Sequence, residues 1–260
     1  MEMWNRRFSS AAVIGLLLAG GPASAADLKV FVGGAMTETV EKIGADFAKR
    51  TGNKLDYVSD TTGALQKRLA AGEKADVIVV TSAGLDALQK ENRIVPQSRV
   101  TLVRALIGVA VHPGAPSPDL SSPDGFKASL LKARSVSYVN PAAGGTSGAY
   151  FEGLMKRMGI ADQMKNKIVY RTQGSEVADA VAKGDAELGI SFIAELAPNK
   201  GVKIAGPLPD AIQSPTDYVA AVLSVSANAD AARAFVQSMA SPAGGAVFKA
   251  AGLTVLSPAH

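Results

Sequence analysis

The sequence holds no cysteine, one tryptophan and two histidines in 260 residues, and only 5% of it is aromatic. Without thiols there is no disulfide frame, no zinc–thiolate site and no thiolate nucleophile. His112 is internal and His260 terminal, so a serine triad lacks its base, and neither G-x-S-x-G nor HExxH occurs. The scarcity of aromatics, with Trp4 near the N-terminus, leaves little from which to build a stacking platform for single-stranded nucleic acid. An excess of one charge is also lacking. Lys and Arg total 27 against 23 Asp and Glu, a formal +4, and no block of about five like charges marks a nucleic-acid arm or a polybasic anchor. No P-loop or G-x-G-x-x-G fingerprint is present, so no nucleotide or other cofactor is expected.

What is present is a chain that is 47% hydrophobic with 26 glycines, long enough to bury a core without staples. Residues 1–25 read as a secretory signal peptide: Arg6 and Arg7, an apolar run from Ala11 to Ala19, then Ala23-Ser24-Ala25. That run falls short of the roughly 20 apolar residues a bilayer-spanning helix needs. Cleavage is expected after Ala25, releasing a periplasmic protein. Loss of Arg6 and Arg7 together with Glu2 lowers the formal charge by one from +4.

Three strand, polar-turn, helix units follow. Leu28–Val32, Lys54–Val58 and Ala75–Val80 read as strands; Val40, Ile43 and Phe47, then Leu65 and Leu69, recur at helical spacing. Such repetition predicts a parallel sheet with helices on both faces. Leu106–Val111 is a long apolar strand leading into His112-Pro113-Gly114 and a Pro- and Ser-rich loop, read as the exit from the first unit. A second α/β set then runs through Ser135–Val139, Ile168–Tyr170 and Glu187–Ser191. Asp217–Ser226 is strand-like, and Ala231–Ala240 with Gly244–Ala251 reads as a closing helix pair. The fold class is therefore two α/β lobes joined by two crossing strands, with 26–108 and 217–260 in lobe 1 and 109–216 in lobe 2.

The turns carry the functional signal. Gly33–Thr37, Asp60–Gly63, Thr81–Gly84 and Gly144–Gly148 each place small or hydroxyl residues at a predicted helix N-terminus. These ends present unpaired N–H groups and the positive end of the helix dipole, and they lie at the carboxyl ends of strands, where open α/β sheets bind ligands. Any one Ser, Thr or Asp before a helix is an ordinary cap. Their clustering, and hydroxyls beyond what a cap needs at Thr61-Thr62 and Thr146-Ser147, point to a small anion held by neutral donors.

The order of segments VFVGGAMTETVEKI, ALQKRLAAGEKADVIVVTSA, GTSGAYFEGLMKRMGIAD, VADAVAKGDAELGI and AARAFVQSMASPAGGAVFKAAG resembles the periplasmic molybdate-binding proteins of ABC importers. The resemblance covers essentially the whole chain after the leader. It implies the type II periplasmic binding fold, a monomer without cofactor that closes on an oxyanion and delivers it to an inner-membrane permease. It implies ligand contacts at Gly34, Ala35 and Met36, at Thr61 and Thr62, at Thr81 and Ser82, at Thr146 and Ser147, at Ile190 or Ser191, and at Tyr218. One departure is plain: the family's first ligand serine falls on Ala35, which has no hydroxyl. An organic carboxylate is therefore an alternative ligand, with Arg104 or Arg171 as its natural clamp. A sensor role shares the fold, and a carboxylate-dependent hydrolase is the competing class, although a binding protein rather than an enzyme is expected. Asp60 reads as a helix cap, Asp76 as a paired structural carboxylate and His112 as a hinge residue; Gln173, Glu195, Gln213 and Thr216 have no assigned place.

Overall fold

The computed structural model describes residues 25–256, so all of the expected leader but Ala25 lies outside the described residues. The first lobe opens with β1 (Asp27–Gly33), α1 (Thr37–Thr51), β2 (Lys54–Asp60), α2 (Thr62–Ala70), β3 (Val77–Thr81), α3 (Ser82–Lys90) and β4 (Val100–Ala105). The second contains β5 (Ile107–Val111), α4 (Pro123–Lys132), β6 (Val136–Val139), α5 (Thr146–Arg157), α6 (Ala161–Met164), β7 (Ile168–Arg171), α7 (Gly174–Ala182), β8 (Leu188–Phe192), α8 (Ile193–Leu196) and β9 (Lys203–Pro207). The chain then returns to the first lobe through β10 (Thr216–Val222), α9 (Ala229–Ala240), α10 (Pro242–Ala250) and β11 (Thr254–Val255).

Two sheets result, ordered β11-β4-β10-β3-β1-β2 and β7-β6-β8-β5-β9. Within the first, β1 runs parallel to β2 and β3, as the three repeated units predict, but β10 is antiparallel to β3 and β4. Both sheets are thus mixed, because a strand arriving from the other lobe enters against the direction of the βαβ units. The apolar runs of the central strands serve two layers. Val30, Val32, Val77 and Val79 pack in one core cluster with α1 and α9, while Phe31, Ile78 and Val80 pack in another with Leu65, Leu69 and Leu85 of α2 and α3. That is the two-residue period of a strand buried on both faces. On α1, Val40, Ile43 and Phe47 form the inward stripe, Phe47 meets Phe235 with ring centroids 5.2 Å apart, and Gly52 ends the helix at φ 77°.

The crossing differs from its sequence reading. The Leu106–Val111 stretch holds one strand, β5 of the second sheet, but a further strand that the sequence reading lacked, β4 of the first sheet, precedes it with Leu106 between them. β4 escaped notice because Thr101 and Arg104 interrupt its apolar pattern and face outward. Gln213 ties the two crossings together. The Ile107 N–H donates to its Oε1 at 3.1 Å, and its Nε2 donates to the Ile107 and Leu208 carbonyls at 2.9 and 3.4 Å. His112 follows the opposite end of β5 from this bracket, so it is not a hinge residue.

Candidate functional site

The carboxyl ends of β1, β2 and β3 form one wall of the interlobe cleft. After β1 the chain makes a short 3-10 turn, Gly34–Met36, that drives the Ala35 and Met36 side chains into the core at 3% and 0% exposure. These two residues can therefore offer a ligand only backbone groups. Thr61 is the N-cap of α2, accepting the Ala64 N–H at 3.2 Å. Asp60 is not the cap: its Oδ1 accepts the Thr61 N–H and its Oδ2 lies 3.7 Å from Arg68. Thr62 is buried in the first turn of α2, and its Oγ1 accepts the Thr81 N–H at 3.5 Å. A hydroxyl that accepts one bond retains its own proton for an acceptor. Thr81 caps α3 through the Gly84 N–H at 3.3 Å. Ser82 turns aside to accept from Arg99 at 2.8 Å.

The opposite wall comes from the ends of β6 and β8. The β8 alternation sends Ile190 into the core, where it joins Tyr138, and turns Ser191 the other way. Ser147, in the first turn of α5, places its Oγ 3.2 Å from that of Ser191. Ser191 in turn donates to Oε2 of Glu195 at 2.5 Å. Thr146 stands beside Ser147 at the start of α5. Both members of the expected second-lobe pair are buried: Ile190 packs in the core, and Ser191 faces Ser147 and Glu195.

Across the cleft the walls touch. Thr61 donates to the Ala143 carbonyl at 2.5 Å and the Gly63 N–H to the Gly144 carbonyl at 3.3 Å. This backbone approach needs two glycines. A Cβ on Gly63 would stand 2.8 Å from Gly144 Cα, and Gly144 itself sits at φ +80°. Tyr218, at the start of β10, meets Phe192 edge-on with centroids 5.8 Å apart. α8 packs on the Gly34–Met36 turn and brings Glu195 to the lobe boundary.

Glu195, which sequence reasoning left without a place, stands at the lobe boundary. Its carboxylate fits a notch made by two glycines from different lobes: a Cβ on Gly34 would lie 2.7 Å from Oε1, and one on Gly174 would collide with Oε2. It borders a cavity of about 280 Å³ lined also by Thr37, Glu38, Glu41, Ser59, Gln173 and Ser175. Glu195 keeps part of its surface open to that space, yet protein surrounds the carboxyl on every other side. Burial pushes it up to about 7, although the hydroxyl of Ser191 and the N–H of Phe192 both favour the charged form. Burial, with Glu195 nearby, likewise holds the Tyr218 phenol well above its ordinary range. Only its place four residues after Ser191, across a strand-to-helix turn, marks Glu195 in the sequence, and that spacing alone is common.

Neither candidate arginine lines the cavity. Arg104 is taken up by a two-pronged pair with Asp217, at 2.7 and 3.0 Å, and Arg171 by Asp185 at 3.0 Å. Asp76 is held by hydrogen bonds and, among the described residues, not by a cation: it accepts from the Lys29 N–H at 2.9 Å and from Ser226 at 2.6 Å. It pins strand ends away from the cleft.

This architecture has known counterparts. Residues 28–254 match the family described as bacterial extracellular solute-binding protein. The chain belongs to that family. The solute-binding protein is 36% identical over 245 residues to the aconitate isomerase of a Pseudomonas species, covering 90% of this chain and 92% of the relative. It is 23% identical to the molybdate-binding protein ModA of Escherichia coli (strain K12), over 97% and 98% of the two chains. The solved periplasmic molybdate-binding protein of Azotobacter vinelandii superposes with a TM-score of 0.71 at 23% identity, covering 88% of this chain and 99% of that one. That likeness establishes the type II periplasmic binding fold. One relative is thus named for an enzyme and the other for a binding protein, and the same scaffold carries both.

Proposed function

We propose that this solute-binding protein takes a small polycarboxylate into its cleft and isomerises it by proton transfer, with Glu195 as the acid–base group and an aconitate as substrate. The supporting observation is Glu195 itself: a carboxyl at the meeting point of both lobes, poised near neutrality by burial. A general base is most effective when its pKa lies close to the working pH. The missing hydroxyl at Ala35 disfavours an inorganic oxyanion such as molybdate.

Aconitate is a propene with a carboxylate on each carbon of the chain, and its methylene is acidified by the neighbouring carboxylate and double bond. Glu195 as carboxylate would remove one methylene proton. The C–H electron pair spreads over the three-carbon allylic system and its carboxylates, and the double bond shifts one place when the proton returns to the other end. Because the skeleton is symmetric, the product is aconitate again, cis or trans according to how its terminal carboxylates are held. Atoms and charge balance with no oxidant or co-reactant. The negative charge that spreads in the intermediate would be met by the hydroxyls of Thr37 and Ser59, which line the same cavity as Glu195 and are fixed before the reaction.

The test is proton NMR of trans-aconitate incubated with the protein in D₂O. The expected result is appearance of the cis isomer with deuterium incorporation, and a loss of about 10²- to 10⁴-fold in Glu195→Gln. A second reading, a periplasmic protein that carries an anion to an ABC permease, is favoured by the neutral donor set of Thr62, Thr81 and Ser147. It predicts that carboxylates or molybdate stabilise the protein thermally without turnover, about 2.7 kcal/mol at 100 times Kd.

A further inference from the structure

The hydroxyls behind Glu195 form a directed chain. Ser191 has a single hydroxyl proton, and it is spent on Glu195 Oε2 at 2.5 Å. The 3.2 Å contact between Ser147 and Ser191 must then run from Ser147 to Ser191 whenever Glu195 is ionised. Ser191 is completely buried and Ser147 is 3% exposed, so water cannot substitute for either partner. One carboxylate oxygen is thus occupied from behind, within lobe 2. The other, Oε1, faces Gly34 of lobe 1, where the absence of a side chain leaves it room.

We propose that Ser191, backed by Ser147, is a positioning residue for Glu195: it pins Oε2 and presents Oε1 as the oxygen that exchanges protons with the substrate. This inference rests on the isomerase reading for its kinetic consequence, but the hydrogen-bond chain can be tested without it. Two features make the arrangement specific. The donor sits four residues before the acid, across the β8–α8 junction, so the acid cannot rotate freely on its own short helix. The glycines at 34 and 174 make room for this placement, since the carboxylate stands where either side chain would be. The charged and titratable groups around it are Glu38 and Glu41 of α1 on the shared cavity, Tyr218 of β10, Glu176 of α7, which is committed to the Thr172 and Gln173 N–H groups, and Lys42 and Lys200, which line an adjoining groove that also borders α8. Ser191 therefore supplies the side-chain hydrogen bond that favours the ionised form of Glu195.

The experiment compares Ser191→Ala and Ser191→Thr with the parent. Losing a donor to the charged form raises the acid's pKa, so the acidic limb of the kcat–pH profile should move up by about one unit in the alanine variant. Above that limb kcat should fall about tenfold with KM little changed, because ligand donors are intact and only the base is misplaced. The threonine variant keeps the hydroxyl and should hold the parent profile. Equal behaviour of the two variants, or an unmoved limb in alanine, overturns the proposal. A second readout is carbon-13 NMR titration of glutamate-carboxyl-labelled protein, with the Glu195 resonance identified by its loss in Glu195→Gln. Its midpoint should rise in Ser191→Ala even if no aconitate is turned over, and an unmoved midpoint also overturns the proposal. A protein that turns nothing over but shows the shift refutes the isomerase reading alone.

Discussion

Replacing Glu195 by Gln should stabilise the folded protein at pH 8 and leave it no more stable than the parent at pH 4.5. The carboxyl rises from an ordinary 4.5 to about 7 on folding, and each pKa unit corresponds to about 1.4 kcal/mol. Because the folded pKa is the higher one, the native state binds more protons than the unfolded chain between these values, and stability falls as pH rises through that window. Below it both states are protonated and nothing is lost; above it the penalty is complete, about 3 kcal/mol before the open face of the cavity is allowed for. Glutamine cannot ionise and escapes the penalty. It retains the acceptor for Ser191 but places an amide N–H₂ against Gly34, an offset of about 1 kcal/mol that does not vary with pH. The net gain at pH 8 is therefore about 1 to 2 kcal/mol, or several degrees in Tm for a chain of this size. The assay is urea unfolding of both proteins at several pH values between 4.5 and 8. A difference that stays constant across that range would refute the placement of Glu195 in a desolvated site.

Other perturbations separate the parts of the cleft. Thr62→Val keeps the shape and removes one hydroxyl, and titration calorimetry should show ligand binding weaker by about 1 to 3 kcal/mol. Gly63→Ala puts a Cβ 2.8 Å from Gly144 Cα, so the lobes should stand apart, with a larger radius of gyration in small-angle scattering and unchanged helix content by circular dichroism. Gln213→Ala removes the bracket between the crossings and leaves the buried Ile107 N–H without its acceptor; stability by urea unfolding should fall by about 1 to 3 kcal/mol. Arg104→Ala should leave ligand affinity unchanged in the same calorimetry, because its guanidinium serves Asp217 and not the cavity.

Much of the fold was legible because the signals are local. The inward stripe of α1 at Val40, Ile43 and Phe47, the strands of the three βαβ units and the closing helix pair all follow from periods of two and 3.6. Thr61 and Thr81 could be placed at helix starts from their neighbours alone, since a cap bonds to a residue three positions away. Less legible was β4, whose outward Thr101 and Arg104 break the apolar run, and the mixed character of the sheets, which depends on which strand returns from the other lobe. Among the expected ligand contacts, Met36 lies in the turn after β1 and Ile190 within β8, both with side chains in the core; an element's position is readable, and the side of it that a residue faces depends on the packing of the sheet.

By itself the sequence determined a two-lobed α/β protein with hydroxyl-rich helix starts at its strand ends, because hydrophobic period and capping chemistry act over a few residues. Only the tertiary structure decided that Glu195, more than 150 residues along the chain from Gly34, enters the cleft between two glycines. It also decided that Arg104 and Arg171, the obvious cations, are spent elsewhere. Those outcomes rest on burial and on contacts between distant segments. A carboxyl becomes an acid–base group near neutrality through what surrounds it, and local sequence does not record that environment.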